Sequence, residues 1–286
     1  MYWHYWFGNE KLLLEKPFQE VLKSGKPDFP FCLAWANHSW ENKTWNPDAQ
    51  KKKSQMLIEQ AYPGMHDYIA HFNYVLPAFR DKRYICIDEK PVFYIYSPNS
   101  IPDCKLFIDT WQELAQKEGF NGIHFIGKMD TWLRDYDKLK NMGFNAINTI
   151  TNWHAQCKIT GKLSSRIIIN LKKYLKIDIM QIYNYADIIK HLSIELDRKE
   201  DVYPTIIPQF DHSPRSKKFG IIYHGSTPEL FRQHVHNVVS TVSTKMPENR
   251  VVILRSWNEW AEGNYVEPDL VFGNGYLNAL KKELTL

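Results

Sequence analysis

Near its C-terminal end the chain reads Val251-Val252-Ile253-Leu254-Arg255-Ser256-Trp257-Asn258-Glu259-Trp260-Ala261-Glu262-Gly263. Glu259 and Glu262 stand three residues apart. On a turn or helix start, residues at that spacing point the same way, with β-carbons about 5–6 Å apart. Two carboxyl groups on one side of a bound sugar are the usual means of making and breaking glycosidic bonds. Trp257 and Trp260 add flat faces suited to pyranose rings. They also offer an apolar wall of the kind that keeps one carboxyl protonated near neutral pH. A bare Glu-x-x-Glu would read as a solvated loop; with Trp257, Asn258 and Trp260 attached, chemistry on a sugar is the better reading. The aliphatic run 251–254 is expected to be a strand buried on both faces, with the pair at its mouth.

Such a pair needs a scaffold, and the rest of the chain alternates short apolar runs with helical stretches. Strands are expected at 31–35, 91–96, 122–127, 146–150, 203–208 and 250–256. Helices are expected at 67–79, 106–117, 133–142, 182–196, 228–245 and 276–284. Ser226-Thr227-Pro228-Glu229 marks one helix start, with a capping side chain and a proline in the first turn. Alternation of this kind implies a parallel sheet with helical crossovers. Residues 2–6 read as the tail of one further strand, which leaves the count short of eight. Polar and aromatic residues follow several strand ends: Trp35-Ala36-Asn37-His38, Asn152-Trp153-His154, Gln209-Phe210-Asp211-His212 and Trp257-Asn258-Glu259. In a barrel those ends converge on one mouth. An open sheet would gather only those at a switch point, and no G-x-G-x-x-G marks one. The expected fold is therefore α/β, a (β/α)8 TIM-type barrel lacking its first β/α unit at the N-terminus, forming a single domain over 1–286.

Bulk properties narrow the function. With 44% hydrophobic and 24% charged residues, the composition is that of a soluble globular protein. A net charge of +4, with no helix-turn-helix, zinc-finger or RNA-binding signature, argues against a nucleic-acid partner. Cys32, Cys86, Cys104 and Cys157 lie far apart without a C-x-x-C, and read as reduced thiols. No run reaches transmembrane length and the N-terminal residues lack signal-peptide character, so a cytoplasmic location is expected. One stretch, 158–176 within an insertion at 155–180, holds six basic residues and no acidic one. A solvated insertion is the first reading. A basic amphipathic helix on the inner face of the cytoplasmic membrane is the alternative. Asp135-Tyr136-Asp137 has the spacing of a metal motif, but acids near a helix start are stabilising there anyway. His234 and His236 do not share a helix face, and no metal or cofactor is expected.

Phe31-Cys32-Leu33-Ala34-Trp35-Ala36-Asn37, Lys90-Pro91-Val92-Phe93-Tyr94-Ile95-Tyr96, His224-Gly225-Ser226-Thr227-Pro228-Glu229-Leu230 and the Trp257 to Gly263 motif through Glu267-Pro268-Asp269 resemble the WbsX-type glycosyltransferases. These are bacterial proteins of O-antigen and other surface polysaccharide synthesis. They are similar in turn to glycoside hydrolase family 99, the endo-α-mannosidase group, which has a (β/α)8 barrel. The resemblance implies that Glu259 and Glu262 are the catalytic pair. The first would assist a substrate 2-hydroxyl as base, and the second would act as general acid/base through a 1,2-anhydro-sugar intermediate. Trp35, Asn37, Trp40, Trp153, Asp211, Trp257, Asn258, Trp260 and Glu267 are the expected sugar contacts. Members usually begin with a further strand and helix, and many carry an acid where this chain has His38. The expected function is transfer from a sugar donor to a glycan or lipid-linked glycan acceptor. Endo-acting hydrolysis by the same carboxylates, and a non-catalytic carbohydrate-binding barrel, are the alternatives.

Overall fold

The computed structural model describes residues 1–41, 55–161, 164, 167, 171, 174, 180–216 and 220–284. These described residues divide into two compact units, the first within 1–41, 55–130 and 134–147, the second within 131–133 and 148–284.

In the first unit β1 (Tyr2–His4), α1 (Lys16–Ser24), β2 (Leu33–Trp35), α2 (Met65–Phe79), β3 (Lys90–Ile95), α3 (Cys104–Lys117), β4 (His124–Lys128) and α4 (Tyr136–Met142) follow one another. β1 to β4 are hydrogen-bonded in chain order, each pair parallel. β3 is buried from Pro91 to Ile95 without alternation, as a strand covered on both faces must be. Local chemistry sets the helix ends. Asp103 caps α3 by accepting the Leu106 N–H at 3.0 Å, and Gly143 closes α4 at φ +105°, where a glycine is favoured. The core is aromatic: Trp111 packs at 4.7 Å from Phe93 and 4.8 Å from Phe107, ring centre to ring centre. Burying each such ring contributes about 2–3 kcal/mol before packing geometry is counted.

β5 (Ala146–Thr149) belongs to both units. The second unit continues with α5 (Asn152–Thr160), β6 (Gln181–Asn184), β7 (Val202–Ile206), β8 (Phe210–Asp211), β9 (Ile221–His224), α6 (Pro228–Val242), β10 (Ile253–Leu254), β11 (Asn258–Glu259), β12 (Asn264–Tyr265) and α7 (Gly275–Leu284). Its order is β5-β7-β10, with Thr205 opposite Ile253 and Ile206 opposite Leu254 in a parallel pair. Through the shared strand the order β1-β2-β3-β4-β5-β7-β10 makes an α/β protein with a seven-strand path. A smaller sheet, β8-β9-β6, and the hairpin β11-β12 complete the second unit. α6 starts as its sequence announces: the Thr227 hydroxyl accepts from the Leu230 N–H and Pro228 occupies the first turn. Ile206, Phe231, Val235, Val266 and Tyr276 form the cluster beneath α6 and α7.

Two expectations are corrected. Residues 182–196 are not one helix. The segment begins in β6, which pairs in parallel with β9, and only short turns of helix follow. The run 251–254 is half-buried rather than buried on both faces, and only Ile253–Leu254 is strand. β10 has one partner in the strand order, which accounts for its open side. Of the basic stretch, residues 162, 163, 165, 166, 168–170, 172, 173 and 175–179 lie outside the described residues. Among the described residues no helix is long and apolar enough to cross a membrane.

Candidate active site

The two carboxylates are presented by one self-bonded loop. Directly after β10, the Ser256 N–H donates to Asn264 Oδ1 at 3.1 Å and its hydroxyl donates to the Asn264 carbonyl at 2.7 Å. The same hydroxyl accepts the Glu259 N–H at 3.0 Å. The Trp257 carbonyl accepts the Val266 N–H at 3.0 Å, closing the loop below the β11-β12 hairpin. Between the two strands, Trp260–Glu262 form a single tight turn, which Gly263 ends at φ +52°. A β-carbon on Gly263 would lie 2.9 Å from Asp211 Cβ and 3.1 Å from its backbone nitrogen, so both conformation and space require glycine there.

Both carboxylates reach one guanidinium. Arg215 donates through Nη1 to Glu262 Oε1 at 3.0 Å and through Nη2 to Glu259 Oε1 at 3.1 Å. It stands on a short helical turn, Ser213–Ser216, that begins where Asp211 Oδ1 accepts the Ser213 N–H at 2.8 Å. Arg255 donates to Glu262 Oε2 at 3.2 Å, with its guanidinium carbon 5.8 Å from the centre of the Phe210 ring. His212 Nε2 lies 3.7 Å from Glu262 Oε1. Burial lowers the His212 pKa below the ordinary histidine value; Glu262 opposes that shift, and Arg215 and Arg255 reinforce it. The ring hydrogen-bonds through Nδ1 with the Ser216 hydroxyl at 2.8 Å. The two acids differ in setting: the Glu262 side chain is 14% exposed and that of Glu259 38%.

An aromatic shelf flanks the pair. Trp260 stacks on Tyr265 with ring centres 3.6 Å apart, and its indole N–H donates to Glu267 Oε2 at 2.7 Å. Trp257 and Trp260 are each about half exposed, at 54% and 48%. Two carboxylates, two guanidiniums, an imidazole and open indole faces within one unit supply proton acceptors, charge stabilisation and a ring-stacking surface.

The family model for glycosyltransferase WbsX matches residues 1–280. The chain belongs to the WbsX glycosyltransferase family. A curated relative described as "Uncharacterized protein WxcX", from Xanthomonas campestris pv. campestris (strain B100), is 25% identical over 291 residues, covering 99% of this chain and 39% of that protein. The same protein from strain ATCC 33913 aligns with the same identity and coverage. The chain thus spans about two fifths of the length of the curated relatives it matches. Among solved structures, one titled "Glycoside hydrolase-like protein" superposes with a TM-score of 0.52 at 17% identity, covering 94% of this chain and 74% of the other. The GH99 endo-alpha-mannosidase from Bacteroides thetaiotaomicron superposes with a TM-score of 0.52 at 13% identity, covering 99% and 75%. These likenesses are of fold.

The other residues singled out in this WbsX-family sequence have varied settings. Asn258 is exposed on β11. Asp211 caps the turn that carries Arg215 and abuts Gly263. Trp153, on α5, meets Trp132 edge-on at 5.5 Å. Three belong to the first unit. Trp35 is buried, its indole N–H donating to the Trp6 carbonyl at 2.9 Å. Asn37 is buried and braces a turn, donating to the Tyr62 hydroxyl at 3.0 Å and the Ser97 carbonyl at 2.8 Å. Trp40 lies edge-on to Tyr5 and Phe7 at 5.2 and 5.4 Å. His38 is exposed beside Tyr96. Asp135 accepts the Asp130 N–H and a hydrogen bond from Asn99, bracing its own loop. Among the described residues no group of three His, Cys, Asp or Glu side chains could hold a metal ion. The arginines were missed. Arg255 was visible at the strand end, but nothing local in the sequence ties Arg215 to glutamates more than forty residues on.

Proposed function

We propose that this WbsX-family chain is a glycosyltransferase of bacterial surface polysaccharide synthesis, of the O-antigen or capsule type, with Glu259 and Glu262 as its reacting carboxyl groups. The observation that carries this reading is the delivery of both carboxylates by one loop to one guanidinium, beside the exposed faces of Trp257 and Trp260. In this reading Glu262, the more sheltered acid, is the general acid/base and Glu259 assists the 2-hydroxyl of the sugar. Trp257, Asn258, Trp260 and Glu267 hold the sugar ring. The seven-strand order is taken as part of a (β/α)8 barrel forming one domain, whose strand ends carry the site. The partners are a sugar donor and a glycan or lipid-linked glycan acceptor, met at the cytoplasmic side of the inner membrane with peripheral contact to it.

A second reading is endo-acting hydrolysis, with water as acceptor and the same two carboxyls. The fold likeness to the GH99 endo-alpha-mannosidase favours keeping it. Incubating the chain with radiolabelled nucleotide sugars and lipid-linked acceptors, and separately with α-linked manno-oligosaccharides, separates the two. Product from the first set that is lost in Glu259→Gln and Glu262→Gln supports transfer. Cleavage of the second set without transfer replaces it by hydrolysis, and no change in either variant removes both.

A further inference from the structure

The carboxylate pair is charge-matched to a degree that glycoside hydrolysis does not require. Arg215 bridges both acids, and Arg255 adds a second guanidinium on the far oxygen of Glu262. His212, the third basic group at Glu262, is held toward its neutral form by burial and by the two arginines. The Glu262 contact is the one side-chain hydrogen bond of Arg255 among the described residues. A guanidinium carries five N–H donors in a planar fork that fits phosphate as well as carboxylate. Most of the Arg255 fork is therefore open to a second anion. The group is accessible, with its side chain 33% exposed and its guanidinium carbon 5.8 Å from the centre of the Phe210 ring.

The chemistry of the leaving group decides what such a pair is for. A neutral glycoside departs as an alkoxide and needs a proton, which fixed cations cannot give. A phosphate ester departs with its own negative charge and needs cations placed where that charge develops. Building on the glycosyl-transfer reading above, we propose that Arg215 and Arg255 form an anion subsite beside Glu259 and Glu262 that takes the diphosphate of an activated sugar donor. In transfer, the bond between the anomeric carbon and the phosphate oxygen breaks, and its electron pair leaves on the diphosphate against the guanidiniums. The acceptor hydroxyl oxygen forms the new bond to that carbon, and its proton passes to a glutamate carboxylate. Without donor, the same arginines neutralise the two carboxylates. A diphosphate competes for them, which frees Glu262 at the moment it is needed.

Titration calorimetry of the whole chain with inorganic pyrophosphate at fixed ionic strength tests this, with farnesyl diphosphate and uridine or guanosine diphosphate as further arms. Pyrophosphate is expected to bind, and Arg255→Gln to weaken it by about tenfold or more, the scale of one lost charge-assisted contact. Arg255→Lys, which keeps the charge but loses the fork, falls between. Glu262→Gln removes the competing carboxylate and is expected to tighten pyrophosphate binding several-fold. That increase also shows that the variant is folded. Tighter binding of farnesyl diphosphate than of the nucleoside diphosphates assigns the anion to a lipid carrier, and the reverse order to a nucleotide. No pyrophosphate binding by either wild type or Glu262→Gln overturns the subsite, as does equal affinity in a folded Arg255→Gln. If pyrophosphate fails while product formation still depends on Glu259 and Glu262, only the subsite falls. If pyrophosphate binds but both glutamate variants form product normally, the transfer reading falls instead.

Discussion

Replacing Gly263 with alanine attacks the site through its backbone. Two costs add at this position. At φ +52° an alanine pays the left-handed conformational penalty, about 1–2 kcal/mol. Its β-carbon would also press to 2.9 Å from Asp211 Cβ and 3.1 Å from Asp211 N, and an overpacked contact of that kind adds about 1–2 kcal/mol. Gly225 supplies the control, because it lies at φ +75° with nothing within 4 Å of a β-carbon. Gly225→Ala should therefore cost only the conformational part. Differential scanning calorimetry reads the difference, with Gly263→Ala melting about 4–10 °C below wild type and Gly225→Ala about 2–5 °C below. Because Asp211 caps the turn that carries Arg215, Gly263→Ala should also loosen the link between Arg215 and Glu262 and depress product formation. Equal melting losses at the two glycines would show that the approach of Gly263 to Asp211 does not constrain the loop, and would refute the reasoning.

Glu259→Gln and Glu262→Gln should each lower product formation by about 10²–10⁴-fold with an unchanged circular dichroism spectrum, as loss of a positioned proton-transfer group does. Trp260→Ala should weaken binding of a neutral glycan by about tenfold, read by fluorescence titration, while moving the melting temperature by only about 2 °C, because the ring is half exposed. Acid should destabilise the fold through its buried histidines. Burial lowers His4 and His234 from 6.5 to about 3, and His71 well below its ordinary value. Between those limits the unfolded chain binds protons that the folded chain refuses. Stability is therefore full above about pH 6.5 and falls as the pH drops, by up to about 1.4 kcal/mol per pH unit for each histidine. Urea unfolding at a series of pH values should show this decline, and His234→Gln should flatten it by about one proton. A free energy constant from pH 7 to 5 would contradict it.

Much of this arrangement was legible because it is local. The cap at Thr227 and Pro228, the buried run of β3 and the glycine stop after α4 each follow from a few consecutive residues. So does the shared direction of Glu259 and Glu262, whose spacing already put both on one side of a turn. What the sequence hid depends on distant partners. β6 is a strand because β9, about forty residues away, supplies its ladder, while its own short apolar run is equally compatible with the start of a helix. Trp35 and Asn37 stand at a strand end, and their buried hydrogen bonds reach Trp6, Tyr62 and Ser97, up to sixty residues away. Arg215 shows no periodicity or motif of its own. Its importance comes only from the charges it meets.

The loop from Ser256 to Glu267 is tied by bonds that span ten residues or fewer. Contacts so short in sequence cost little chain entropy to close, and they can form early in folding. The guanidinium that bridges the acids comes from more than forty residues away and must wait for β8 and its turn to dock. Assembly is therefore ordered: the acids take up their geometry first, and charge balance arrives later. In partial unfolding the sequence runs backwards. The second unit loses the bridge to Arg215 while the loop itself still stands, leaving Glu262 with Arg255 alone and Glu259 without its guanidinium.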